Sequence, residues 1–152
     1  MNLSATHAVS VNPTTGEVVS SLPWSTEQQV DSAIALAQQA FRQWRHVAVT
    51  DRAAALRKVG SAMRARGEEL AQMISLEMGK PIAQARGEVS KSANLCDWYA
   101  EHGPAMLATE ATQVEDNKAV IEYRPLGPIL AVMPWNFPVW QVRSEERRVG
   151  KE

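Results

Sequence analysis

The chain has 152 residues, 45% of them hydrophobic and 22% charged, with a formal net charge of −1. That size suits one domain of roughly 100–200 residues with a real core and excludes a disordered chain. The near-neutral charge gives no electrostatic case for nucleic acid, a lone cysteine excludes an internal disulfide framework and fits a reducing compartment, and no apolar run approaches the ~20 residues of a membrane helix.

The opening MNLSATHAVSVNPTTGE has no basic start followed by an apolar stretch. No signal peptide is read, and a cytoplasmic location is the expectation. Residues 8 to 22 read as a hairpin: Val9 and Val11 alternate with polar residues, Asn12 to Gly16 turn, and Val18, Val19 and Leu22 return. One glycine in that turn cannot cradle a phosphate. Ser25 to Gln28 has the form of a capping box with Ser25 at the N-cap. Val30, Ile34, Ala37, Phe41 and Trp44 then mark one face of an amphipathic helix. Thr50 is placed to cap a second helix, with Ala53, Leu56, Val59 and Met63 inward. Its arginines, Arg52, Arg57, Arg64 and Arg66, read as a solvated face rather than an anion site.

Gly67 breaks that run, and Leu70, Met73, Ile74 and Glu77 resume it. Gly79 is a natural helix stop with Pro81 just beyond. Lys80 reads as a cation favoured near a helix C-terminus. A phosphate-binding loop would need more glycines and a hydroxyl residue after the lysine. Pro81 to about Leu107 reads as a long helix with Ile82, Ala85, Val89, Ala93, Cys96 and Tyr99 along one stripe, and Gly103-Pro104 kinking or ending it. Cys96 in that stripe reads as a small buried hydrophobe rather than a nucleophile. His7, His46 and His102 share no metal-ligand spacing.

Thr112 to Val114 and Ala119 to Tyr123 read as two strands joined by a four-residue loop, Glu115 to Lys118, within a hairpin arm spanning 111–124. Ile129 to Met133 is a short apolar run between Gly127-Pro128 and Pro134, as in a strand buried in a parallel sheet. Pro138 suits the first position of a helix. Strand, sharp turn and helix start place Asn136 in the kind of crevice where open α/β sheets bind ligands.

The stretch RPLGPILAVMPWNFP resembles the first cofactor-domain strand and turn of the NAD(P)-dependent aldehyde dehydrogenases. The resemblance runs from Ala8 to Val142. EMGKPIAQARGEVSKSANLCDWYAEHGPAML and VIEYRPLGPILAVMPWNFPVWQV are most similar to the family's bacterial succinate-semialdehyde dehydrogenases. It implies an α/β fold: the helical N-terminal part, hairpin arm and first parallel strand of a truncated cofactor-binding domain over 1–142. It implies a parent enzyme that oxidises succinate semialdehyde, or a similar aldehyde, to the acid with NAD or NADP.

By match to the motif, Asn136 would be the oxyanion donor, and Val132, Met133, Pro134, Trp135 and Asn136 would line the nicotinamide side of the cofactor. The family's nucleophilic Cys and general-base Glu have no counterpart here, so the chain by itself is expected to be inactive. The hairpin resembles the arm that pairs with a neighbouring subunit, implying a homo-oligomeric parent. The alternative is a non-catalytic assembly module that docks on a full-length subunit, or a fragment of a family member with another substrate.

The family resemblance stops at residues 143–152, RSEERRVGKE, where seven of ten residues are charged. This tail can be encoded by AGATCGGAAGAGCGTCGTGTAGGGAAAGAG, which resembles a short-read sequencing adapter. A truncated gene joined to adapter sequence is the expectation, and finding these codons in frame in source DNA would overturn it.

Overall fold

The computed structural model describes residues 6–114 and 117–141. The expectation for 143–152 lies outside them. The element order is β1 (His7–Val11), β2 (Val18–Pro23), α1 (Glu27–Trp44), α2 (Val49–Ala65), α3 (Gly67–Met78), α4 (Ile82–Met106), β3 (Glu110–Val114) and β4 (Asn117–Ile121).

β1 and β2 pair antiparallel, with a register shift between Ser10 and Val11. Gly16 closes the turn at φ +75°, donating its N–H to the Asn12 carbonyl at 2.8 Å. The Asn12 side chain accepts from the Thr14 N–H at 2.9 Å. Both bonds hold the turn by local backbone chemistry, as its Asn-Pro-Thr-Thr-Gly sequence dictates.

The capping box of α1 forms one residue later than expected. Thr26, not Ser25, is the N-cap: its side chain accepts from the Gln29 N–H at 3.2 Å, and Gln29 accepts from the Thr26 N–H at 2.8 Å. Ser25/Gln28 and Thr26/Gln29 both satisfy the pattern, so spacing alone cannot choose between them. The apolar stripe of α1 forms as expected but is not covered. The helix buries no residue, and Val30, Ile34 and Trp44 are exposed.

Thr50 does not cap α2. The helix starts at Val49 after Ala48, which makes no side-chain capping bond. α2 packs chiefly on α4. The approach is close because Gly60 faces it: a Cβ there would meet Cys96 Cβ at 3.0 Å and the Ala93 carbonyl at 3.1 Å. Ala53 is buried as expected, whereas Val59 is exposed. Arg64 bonds Asp97 and, at 3.0 Å, Asn94 of α4, while Arg66 pairs with Glu69 at 2.5 Å. Among the described residues, two of the four arginines therefore meet carboxylates.

α3 ends at Gly79, which adopts the left-handed conformation at φ +74°. A Cβ at Gly79 would also come within 2.9 Å of Pro13 Cγ, so the tip of the first hairpin sits against this helix stop. α4 carries the expected stripe: Ala85, Val89, Ala93 and Cys96 are buried. Pro104 lies in its last turn and is tolerated there; the helix runs on to Met106. The core joins Ala71 and Ile74 of α3 to Ala85 and Val89 of α4. Leu70, Ile82 and Val139 pack against it.

β3 and β4 form a separate antiparallel pair from Glu110↔Ile121 to Val114↔Asn117. The ladder thus includes Asn117 and Lys118, which were expected in a four-residue loop. Only Glu115 and Asp116 separate the strands. Ile129 to Met133 is not a strand: no ladder forms there among the described residues. Leu130 is 89% and Val132 81% exposed. The apolar run has strand character, but a strand exists only by pairing, and no described strand pairs with it.

Candidate functional site

Past Pro134 the chain folds back on the α3–α4 corner. The Phe137 N–H donates to the Pro134 carbonyl at 3.2 Å, and the Gln141 N–H to the Phe137 carbonyl at 3.3 Å. Pro138 therefore occupies the first position of a helical turn, as expected, where its missing N–H is no loss.

The start of a helical turn leaves backbone N–H groups without partners in the turn itself. Here α4 supplies the acceptor. Glu88 Oε1 accepts the Val139 N–H at 3.0 Å and the Trp140 N–H at 3.1 Å. The other Glu88 carboxylate oxygen pairs with Lys80. Lys80 Nζ also donates to the Asn136 carbonyl at 2.7 Å and lies 3.8 Å from the centroid of the Phe137 ring. Lys80 and Glu88 are both buried, with 7% and 5% exposure. Burying two charges is tolerable only when they are paired and their remaining valences satisfied, and both conditions hold.

Lys80 does follow the C-terminus of α3, as expected, and the structure adds what the sequence did not show: it is half of a buried ion pair. Its partners lie one helix away and in a turn 56 residues on. Composition gave no sign of it, although a lysine and a glutamate flanking a helix start could have prompted a search.

Apolar contacts complete the anchoring. Val139 enters the core. Trp135 and Pro138 close over α3, bounding with Leu70, Met73, Ile74 and Met78 a crevice of about 130 Å³. The Trp135 indole N–H donates to the Glu77 carbonyl at 3.3 Å, meeting an acceptor at the C-terminal end of α3.

Of the expected site residues, Val132 and Trp135 are exposed, Met133 is half-buried and Pro134 is exposed. They are consecutive in the chain and lead into the turn. Asn136 is exposed, and its side-chain amide makes no hydrogen bond among the described residues. The turn is held through the backbone and through Glu88 and Lys80. The amide is thus not used to cap it.

Cys96 is 0% exposed and its thiol donates to the Ser92 carbonyl at 3.2 Å, as expected of a buried small hydrophobe. The His102 Nδ1–H donates to the Trp98 carbonyl at 2.8 Å, and the His102 ring stacks on the Trp98 ring. No group of three or more metal-ligating side chains converges among the described residues, and no described helix is long and apolar enough to cross a membrane.

Residues 2–145 match the sequence model of the aldehyde dehydrogenase family. The chain is 64% identical over 138 residues to "Succinate semialdehyde dehydrogenase [NAD(P)+] Sad" of Escherichia coli, covering 91% of this chain and 30% of that protein. It is 40% identical over 132 residues to "Succinate-semialdehyde dehydrogenase [NADP(+)]" of Deinococcus radiodurans, covering 87% of this chain and 28% of that one. Among solved structures it resembles the succinic semialdehyde dehydrogenase of Streptococcus pyogenes in complex with NADP+, with TM-score 0.84, 29% identity and coverage of 90% of this chain and 30% of that one. The succinate-semialdehyde dehydrogenase of Burkholderia pseudomallei matches with TM-score 0.83, 32% identity and coverage of 97% and 30%. The chain thus spans about 30% of the length of these relatives.

Proposed function

The chain belongs to the aldehyde dehydrogenase family, and on that premise we propose that it is part of a cytoplasmic enzyme that oxidises succinate semialdehyde, or a similar aldehyde, to the acid with NAD or NADP. The observation that carries the chemistry is the Asn136 amide, exposed and without a hydrogen-bond partner among the described residues, on a turn whose backbone is held elsewhere. Attack of a nucleophile on an aldehyde places negative charge on the carbonyl oxygen. A fixed amide N–H aimed at that oxygen lowers the barrier without reorganising.

The residues present fit one side of a nicotinamide site. Val132, Met133, Pro134 and Trp135 are apolar and directly precede that amide in the chain, and would hold the ring by exclusion of water. NAD(P), when bound, supplies the hydride acceptor. Cys96 has no access to substrate, and neither a nucleophile nor a deacylating base is assigned to any residue of this chain. The 152-residue chain alone is therefore expected to be inactive.

The β3–β4 hairpin supports a homo-oligomeric parent. All residues of β3 are exposed, and Val120 and Ile121 of β4 are too. A lone two-stranded hairpin is marginal in water, and pairing with a neighbouring subunit is one way to cover its edges.

The test is a chimera carrying residues 1–141 in place of the matching part of the Escherichia coli relative. It should form NAD(P)H from succinate semialdehyde, and Asn136→Ala should lower kcat by about 10²–10³. A chimera that fails to fold or to turn over, or an Asn136→Ala variant that keeps its kcat, overturns the assignment.

A further inference from the structure

We infer that the buried Lys80–Glu88 pair positions Asn136, so that Lys80 and Glu88 act through that residue on the aldehyde chemistry; this rests on the role proposed for Asn136 above. Every hydrogen bond and ring contact of the two side chains among the described residues goes to the other member of the pair or to the turn. Lys80 holds the Asn136 carbonyl at 2.7 Å and the Phe137 ring, while Glu88 holds the Val139 and Trp140 N–H groups at 3.0 and 3.1 Å. The segment is gripped on both sides of Pro138. With its own carbonyl fixed, the Asn136 peptide plane cannot rotate freely, and its Cα–Cβ direction is set with it.

Apolar packing alone would not do this. The contacts of Trp135, Pro138 and Val139 on α3 tolerate sliding, whereas hydrogen bonds to a carbonyl and two N–H groups are directional. Nor does stability explain the pair, because a buried ion pair is often no more stabilising than apolar residues of like volume. What apolar residues cannot supply is a donor for the Asn136 carbonyl and an acceptor for the two N–H groups. Catalytic groups work only when held near their productive geometry by surrounding residues.

The experiment uses the chimera described above, with kcat, KM for succinate semialdehyde, NAD(P)+ affinity and thermal melts read in parallel. Lys80→Met and Glu88→Gln are made singly and each together with Asn136→Ala. A fifth variant, Lys80→Leu/Glu88→Leu, removes both charges together and so leaves no unpaired buried charge, while the Asn136 carbonyl and the Val139 and Trp140 N–H groups lose their side-chain partners. Each single substitution should lower kcat on the order of 10- to 10²-fold, the scale for a catalytic group misplaced by about 1 Å, while NAD(P)+ affinity stays within about twofold (well under 1 kcal/mol). In the Asn136→Ala background neither should lower kcat further. The double-leucine variant should melt near the unmodified chimera yet keep the kcat loss.

Equal losses with and without the Asn136 amide, or a double-leucine variant with restored kcat, would show that the pair serves stability alone. If Asn136→Ala itself leaves kcat intact, it is the role of Asn136 that fails. A large Asn136→Ala effect beside neutral Lys80 and Glu88 variants sinks only the positioning role.

Discussion

Glu88 and Trp140 lie 52 residues apart, yet one carboxylate oxygen of Glu88 accepts the Trp140 backbone N–H at 3.1 Å. The same oxygen takes the Val139 N–H at 3.0 Å. A helix-four carboxylate thus does for a distant turn what a capping side chain does for its own helix. Lys80 sits against the other oxygen of this buried carboxylate and pairs with it.

Removing one member of this pair should destabilise the chain more than removing both. Lys80→Met leaves the Glu88 carboxylate buried without its cation, at a cost of roughly 3–5 kcal/mol. Lys80→Leu/Glu88→Leu should recover most of that. Urea unfolding midpoints of the three proteins check the order. A double variant less stable than Lys80→Met would show that the N–H groups of Val139 and Trp140 matter more than the unpaired charge.

Two helical glycines should respond oppositely to alanine. At Gly60 the added methyl would press Cys96 Cβ at 3.0 Å and Asp97 Oδ1 at 3.2 Å across the α2–α4 contact. Overpacking of about 1–3 kcal/mol should outweigh the ~1 kcal/mol helix-propensity gain. At Gly87 nothing lies within 4 Å, so only the gain remains. Gly60→Ala should lower the thermal midpoint and Gly87→Ala raise it. Stabilisation by Gly60→Ala would mean that α2 and α4 are less closely packed than the structure has them.

The Cys96 thiol should resist reagents in the folded chain. It is buried and bonded to the Ser92 carbonyl at 3.2 Å. Reaction with a water-soluble disulfide reagent should be slow in buffer and complete in denaturant. Fast labelling of native protein, or aldehyde oxidation lost in Cys96→Ala, would revive Cys96 as a nucleophile.

On the surface, the Arg86 guanidinium bonds both carboxylate oxygens of Glu68 at 2.8 Å, with Gln72 adding a third bond at 3.1 Å. These bonds hold the Glu68 carboxyl down to about 2 from its usual 4.5. The folded value is the lower one, so the pair's contribution is present above pH 4.5 and is lost as pH falls toward 2. In Arg86→Leu the Glu68 carboxyl, followed by NMR, should titrate closer to the ordinary value. Because both groups face solvent, the unfolding midpoint at neutral pH should barely move. An unchanged titration would show that the pair is not formed in solution.

Much of the fold was legible in the sequence because its determinants are local. The Asn12–Gly16 turn, the stop at Gly79, the stripe from Ala85 through Cys96 and the Pro138 turn start each depend on a few neighbouring residues. Thr26 was missed by one position because two overlapping patterns competed, and Thr50 lies inside its helix because spacing does not reveal where a chain enters. The second hairpin's loop was read too long, since Asn117 and Lys118 look like loop residues yet sit in the ladder. Ile129–Met133 has strand composition, but a strand is a pairing, and none is available among the described residues. The motif pointed to Asn136, but its support from Lys80 and Glu88 was not legible. No periodicity links residues brought together only by a chain reversal.

The exposed stripe of α1 bears on how the chain comes off a ribosome. Val30, Ile34 and Trp44 emerge early and find no covering surface among the described residues. Until one is supplied, they offer successive apolar patches of the kind holdase chaperones recognise. Newly made chain should therefore be retained by such chaperones through α1 in particular, and replacing Ile34 and Trp44 with glutamine should shorten that residence without disturbing the α2–α4 contact.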